Sequence, residues 1–334
     1  MLLVWDWYMA RVYDSEGQCL DESTWGGNKS IHAISNRLSL LSKGRMTPEA
    51  KTLAERFPNA EHRSPNECNF EWPKIASSLQ IQLQEATIRL AESGVAAAVH
   101  NPDRRLEHLV RGMDEIRSSH NALESQIVEW VGLFLPRLDL DKYRHEIVAA
   151  TANATNFSDV GKTLDSELTD VEVGSAEWAS IKGCAETTMS QFDCLSDLES
   201  AVKELAQKHL PTLSKLLGPL LAARLCVTAH GRPRLARLPA GTIQVLGAEK
   251  AFFMHLRQGT DPPKHGHIFQ HPWICRSPKW IRGKVSRMLA SKAAIAARID
   301  HFEGNPWTNQ DIEEIENIVK DIRNRYPNPS SVRR

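Results

Sequence analysis

The 334 residues leave room for two or three domains, and 41% apolar with 25% charged residues is the balance of a globular chain. No apolar run is long enough to span a bilayer, the opening MLLVWDWYMARVYD meets Asp6 too early for a signal peptide, and six cysteines without a CxxC pair read as reduced, cytosolic thiols. These features exclude the secreted, membrane and zinc-ribbon classes.

At the N-terminus, Leu2–Tyr8 and Arg11–Tyr13 are rich in strand formers, Asp14–Gly17 is turn chemistry, and Gln18–Leu20 returns as a strand. Ser30 then caps a helix with Ile31, Ile34, Leu38 and Leu41 on one face, ended by Gly44. Thr47 and Pro48 open another helix in the expected cap-then-proline order. Residues 59–73, rich in Pro, Asn, Ser and Glu, read as a linker.

The middle of the chain is helical. Asn101, Pro102 and Asp103 supply an N-cap, an N1 proline and a carboxylate suited to the helix dipole. Leu106, Leu109, Met113, Ile116, His120, Leu123, Ile127, Trp130 and Phe134 follow at alternating steps of three and four, up to Pro136. That is an a/d seam about four heptads long. A second seam runs through Leu195, Leu198, Val202, Leu205 and His209 and stops at Pro211. Residues 151–189, rich in Thr, Ser, Asp and Gly, hold the tip, so the pair predicts an antiparallel coiled-coil hairpin. Val110 and Val131 lie beside the seam, where they could serve a further chain or domain. His120 reads as a buried polar specificity device, and self-association through Ile116, His120, Leu123 and Ile127 is expected alongside closure within one chain.

From Leu213 onward the helices are denser in Gly, Pro and Arg. Residues 242–250 read as a turn and 251–257 as a helix; 259–272 form a loop. Ser277 and Pro278 are expected to cap a helix through His301, and Thr308 with Asp311 to open the last one, with Ile312, Ile315, Val319 and Ile322 on one face.

Overall neutrality hides a division of charge. Residues 211–334 carry 20 Lys and Arg against 9 Asp and Glu, whereas residues 1–210 carry 21 against 32. Between 215 and 298, 15 basic residues meet only Glu249 and Asp261, a segregation that a polyanion partner would use. The cations Lys279, Arg282, Lys284, Arg287, Lys292 and Arg298 share one helix with no acid before Asp300, an arrangement more at ease against phosphate than against itself. His265, His267, His271 and Cys275 are close in sequence and soft, so a metal-dependent RNA hydrolase is an alternative; no acidic residue lies between Asp261 and Asp300, and no HExxH or CxxC template appears. No metal, cofactor or catalytic apparatus is expected.

Residues 211–304 resemble the Nop domain, the RNA–protein-binding module of box C/D guide-RNA ribonucleoprotein scaffolds. PTLSKLLGPLLAARL from Pro211 to Leu225 is similar to the family's PNLSxLLGxxxAARL helix. LPAGTIQVLGAEK from Leu238 to Lys250 carries the hallmark GAEK, and Pro262–Gly266 and Arg282–Lys284 through Ala297–Asp300 complete the signature. Asn121–Leu123, Glu129–Gly132 and Phe134–Pro136 look like the family's coiled-coil segment, with Val131 where Tyr is usual. Ala229–Arg234, AHGRPR, replaces the family's usual AGSL turn.

The resemblance implies a mostly α fold in three parts: a small α/β fibrillarin-binding-like domain over 1–72, a helical and coiled-coil domain over 73–210, and an all-helical Nop domain over 211–327. It implies a non-catalytic scaffold that binds box C/D guide RNA with a small kink-turn-binding protein. That scaffold would position a fibrillarin-type 2′-O-methyltransferase, which uses S-adenosylmethionine, and pair two copies through the coiled coil. RNA contacts are expected from Gly247, Ala248, Glu249, Lys250, Lys264, His265, Gln270, Arg282, Lys284 and Arg287; Arg224 and Arg298 are as readily packing arginines. The splicing-factor branch of the family is the nearest alternative. The compact form looks archaeal, hence cytoplasmic; a eukaryotic source would make it nucleolar. No membrane partner is expected.

Overall fold

The computed structural model describes residues 1–68, 72–169, 171 and 173–329, which form two compact units, Met1–His100 and Asn101–Arg334. As the sequence predicts, the fold is mostly helical with a small α/β part at the N-terminus.

In the first unit, β1 (Leu2–Trp5), β2 (Met9–Tyr13) and β3 (Cys19–Thr24) form an antiparallel meander. The turn is held by Asp14, whose carboxylate accepts from the Glu16 and Gln18 N–H groups. Helix α1 (Ile31–Ser42) begins at Ser30, whose hydroxyl accepts from Ala33 N–H, and α2 (Pro48–Arg56) begins at Thr47. The expected linker contains one more element: β4 (Glu61–Arg63) pairs parallel to β1, giving the order β3-β2-β1-β4. Three exposed polar side chains at an edge carry no hydrophobic alternation, so the ladder alone defines this strand. Residues 69–71 of that stretch lie outside the described residues. Helix α3 (Ser77–Val99) packs its first half on α1 around Trp7, Ile34 and Ala86, while Ile81, Ile88, Val95 and Val99 are exposed. Buried Arg37 ties the unit together: its Nε donates to the Trp7 carbonyl, its guanidinium pairs with Glu49, and the Trp25 ring lies 4.4 Å from it.

The second unit is built on a long hairpin. Helix α4 (Pro102–Gly132) begins at the expected Asn101 cap, then α5 (Arg144–Asn153) and α6 (Phe157–Thr163) form a small helical tip, and α7 (Ser175–His209) returns. The tip therefore occupies residues 133–174, earlier than predicted, because α7 continues through the Ser- and Thr-rich stretch from Ser175. Residues 170 and 172 within it lie outside the described residues. Contacts from Arg117 to Glu199 at 2.6 Å and from His120 Nδ1 to the Thr188 carbonyl at 3.2 Å set the antiparallel register.

The seam closes within the chain. His120 and Ile127 are buried in it, Ile116 and Leu123 are half-buried, and Val110 and Val131 sit in internal apolar clusters. Val110 and Val131, expected to serve a further chain or domain, are covered by other parts of this chain: residues 219–228 pack near Val110 and the tip helices near Val131.

Helices α8 (Pro211–Leu217), α9 (Pro219–Thr228), α10 (Arg232–Arg237), α11 (Ala240–Val245), α12 (Glu249–Gln258) and α13 (Pro272–Cys275) lead to α14 (Arg282–His301) and α15 (Asn309–Arg325). Helix α14 starts at Arg282, not at Ser277. The Ser277 hydroxyl is buried and donates to the Trp273 carbonyl, so it is not free to cap. Buried Asp300 on α14 instead accepts from the Thr212 and Leu213 N–H groups at 2.8 and 2.9 Å, capping α8.

At the hairpin base Asp103 Oδ1 lies 2.6 Å from His209 Nε2, 2.9 Å from Arg232 N and 3.4 Å from Cys226 Sγ. One carboxylate thereby joins α4, α7, α9 and α10. Among the described residues Asp103, His209 and Cys226 form the one group able to offer three metal ligands, and these atoms are already bonded to one another. Burial opposes ionisation of Asp103, but the hydrogen bonds from His209 and Arg232 N–H outweigh it and hold its carboxyl below the ordinary 3.8. Asp103→Ala should cost about 3 kcal/mol in denaturant unfolding. A depressed carboxyl stabilises above its unfolded pKa and loses that contribution as pH falls through the folded value. Wild-type stability should therefore drop more steeply below about pH 4 than that of Asp103→Asn.

Candidate nucleic-acid interface

The GAEK segment joins α11 to the first turn of α12, where Glu249 and Lys250 stand, and a second loop, residues 259–266, returns beside it. Gly266 N–H donates to the Gln244 carbonyl and His267 N–H to the Leu246 carbonyl, both at 2.8 Å. Gln244 Nε2 adds a bond to the Lys264 carbonyl at 2.7 Å. Two motifs about twenty residues apart are thus clipped into one rim.

The clip explains two glycines. A Cβ on Gly266 would lie 2.0 Å from the Leu246 carbonyl oxygen, so only glycine admits this backbone approach. Gly247 has φ +87°, and a Cβ there would meet the His267 imidazole at 2.2 Å. His267 therefore packs under the GAEK turn.

Glu249 resolves the question of why an acid stands in a basic segment. Its Oε1 accepts from Gly247 N–H at 2.8 Å, so it folds back to hold its own loop. Lys250 and Lys264 are exposed on the rim, as is Gln270. His265 stacks on Phe269, with centroids 4.4 Å apart and planes at 17°, and the Arg282 guanidinium lies 5.4 Å from the same ring.

Arg282 itself donates to the Ser277 and Cys275 carbonyls, which makes it the clamp of the loop. Lys284 Nζ sits 4.0 Å from the Tyr326 ring centre, and Arg287 is exposed one turn further along α14. Arg224 pairs with Asp114, and Arg298 donates to the Ala236 carbonyl, so both are packing arginines in this fold. Helix α12 buries none of its side chains; Phe252, Phe253, Met254 and Leu256 are exposed beside the rim. The sequence reading placed a helix over 251–257 without singling out this apolar strip, although Phe252, Phe253 and Met254 in succession were the available signal.

His265, His267, His271 and Cys275 do not converge. His265 stacks on Phe269, His267 packs under Gly247, and His271 Nδ1 accepts from Trp273 N–H as the cap of α13. Burial, with Arg282 and Lys264 adding repulsion, holds His265 below the ordinary imidazole value; burial and Arg224 do the same for His267. Burial pushes His271 down to about 4.

The family model Nop, described as snoRNA binding domain, fibrillarin, matches residues 113–324. The chain belongs to the Nop family. An uncharacterized NOP5 family protein of Methanocaldococcus jannaschii is 34% identical over 258 residues, 72% of this chain and 62% of that protein. Nucleolar protein 56 of Caenorhabditis elegans is 28% identical over 65% of this chain and 49% of its own length. Nucleolar protein 58 of Botryotinia fuckeliana is 29% identical over 62% and 39%. The Nop chain thus spans less than two thirds of the length of these relatives. A solved structure titled as a fibrillarin/Nop5p complex aligns with 96% of the chain and all of its own at 23% identity and a TM-score of 0.45. Among the described residues no helix is long and apolar enough to cross a membrane.

Two outcomes test the interface's construction. Gly266→Ala should break the clip and speed amide exchange at His267, measured by NMR, while the α14 amides keep their protection. The His271 ring should titrate near pH 4 in the folded Nop protein. Because its folded pKa is depressed, the unfolded chain takes up protons first. Stability should fall by up to about 3 kcal/mol between pH 6.5 and 4, and His271→Gln should lack that loss.

Proposed function

We propose that this Nop-family chain is a non-catalytic scaffold of a box C/D-type ribonucleoprotein. It binds kink-turn RNA together with a small kink-turn-binding protein and orients a fibrillarin-type 2′-O-methyltransferase. The observation that carries this reading is the clipped rim: an anchored GAEK turn with Lys250 and Lys264 exposed on it and an apolar strip on α12 beside it. Such a rim offers cations to phosphates and an apolar face to a protein, as recognition of an RNA already loaded with protein requires.

In this reading Lys250, Lys264, Lys284 and Arg287 meet phosphates, Gln270 and the His265–Phe269 stack meet bases, and Gly247, Ala248, Glu249 and Arg282 hold the rim's shape. The division of labour is 1–72 for the methyltransferase, 73–210 for pairing two copies, and 211–327 for RNA. Pairing would use the exposed surface of the hairpin, where Phe192 is exposed, since the seam itself is filled. Methyl transfer belongs to the partner, and this chain contributes distance and orientation. The nucleolar names of eukaryotic relatives and the archaeal NOP5 protein fit a scaffold that works where guide RNAs work, in the cytoplasm of an archaeon.

Binding to kink-turn RNA with and without the small kink-turn-binding protein tests the reading. The loaded RNA should bind more tightly than the free one. Lys250→Ala should weaken the loaded complex by about 1–3 kcal/mol. Glu249→Ala should weaken it too, because the loop loses its internal cap, whereas a bare basic surface would gain from losing an acid. Equal affinity for both RNA forms, with Glu249→Ala binding better, would overturn the proposal.

A further inference from the structure

The α9–α10 turn opens on a cleft of about 380 Å³ against the first turns of α4. Asn101, Arg104 and Glu107 line one wall; His230, Arg234 and Arg237 line the other. The charges on the two walls are not equally spent. Asp103 accepts from three donors, and Glu107 lies 2.8 Å from Arg104 and 2.6 Å from Arg111. Arg232 turns inward: its N–H binds Asp103 and its guanidinium donates to the His209 carbonyl. Arg234 and Arg237 are exposed, and among the described residues neither has an ion pair or hydrogen bond. Three residues apart, they stand on one face of α10 about one turn from each other, two like charges that repel until an anion lies across them. A guanidinium fork matches a phosphate oxygen pair in geometry as well as charge.

We infer that this cleft is a second RNA contact, in which Arg234 and Arg237 hold phosphates of the strand that leaves the kink-turn. The inference rests on the RNA-binding function proposed above and adds a site to it. Of the residues lining the cleft only Val227, Gly231 and Pro233 lack a polar side chain, so it lacks the apolar centre that a protein partner needs, whereas a phosphodiester backbone needs none. The turn that carries the arginines is fixed in place. Gly231 has φ +114° with Asp103 so near that a Cβ would lie 2.9 Å from its Oδ2. Both arginines are therefore presented from a backbone anchored to the hairpin base.

The test uses the full chain and two RNAs, a minimal kink-turn hairpin and the same hairpin with a longer flanking stem, each titrated over a range of salt. With the longer RNA, Arg234→Gln combined with Arg237→Gln should lower the salt slope by about 1.4–1.8, at about 0.7–0.9 per lost phosphate contact. With the minimal RNA the slope should stay at the wild-type value. The double variant should melt with the wild type, since both side chains are exposed. Wild-type slopes on both RNAs, or an equal loss on both, would overturn the cleft as a local contact while leaving the GAEK-rim reading intact. No binding of either RNA by the wild type would overturn the RNA reading itself. Displacement of the longer RNA's extra contact by a polyglutamate peptide at equal charge concentration would reassign the cleft to an acidic protein.

Discussion

One carboxylate organises the larger unit. Asp103 stands in the first turn of α4, yet its oxygen is committed to the end of α7, the last turn of α9 and the start of α10. The two ends of the hairpin meet there, with Asn101 capping one helix and Pro211 closing the other. Removing an acceptor that three donors share leaves each donor to find another partner in a half-buried place, which is why the site's cost exceeds that of an ordinary surface pair. Asp300 does for α8 and α14 what Asp103 does for the hairpin. Asp300 is buried in the basic half and Asp103 half-buried in the acidic one; Asp300 accepts from backbone N–H groups, and Asp103 from a backbone N–H, an imidazole and a thiol.

The rim depends on that frame in a different way. Its loops carry few buried side chains, so backbone pairing does the holding: Gln244 and Leu246 accept from Gly266 and His267, and Glu249 ties Gly247. His265 and the Arg282 guanidinium both meet the Phe269 ring, and His267 lies against Gly247. Cations that the rim displays, Lys250 and Lys264, are separate from the cation that supports it. Charge counting alone treats these as one population, and the geometry divides them.

Much of this was legible in the sequence because it is local. The caps at Ser30, Thr47, Asn101 and Thr308 all form, and in the last Asp311 stands in for the usual Glu by accepting from Thr308 N–H. The seam of α4 was legible for the same reason: periodicity reports which face is buried. It does not report against what, which is why the sequence left open whether a chain or a domain covers Val110 and Val131. β4 was missed because an edge strand of Glu, His and Arg has neither alternation nor β-branching, and Ser277 misled because a buried hydroxyl with a carbonyl in reach has no need of a helix to cap. Asp103 was correctly placed at a helix start, but its partners lie more than a hundred residues away. GAEK was recognisable as a motif; the clip that gives Glu249 and Gly266 their roles is a contact of tertiary origin.

The hairpin also has a mechanical consequence. At about 1.5 Å per residue, the 31 residues of α4 carry the tip roughly 45 Å from the Asp103 junction. Rotation by about ten degrees at that junction would sweep the tip through an arc of roughly 8 Å, with no change inside either helix. The hydrogen bonds at Asp103, the Arg224–Asp114 pair and the apolar packing of Leu106, Val110 and Val202 together set the angle at which the tip is carried.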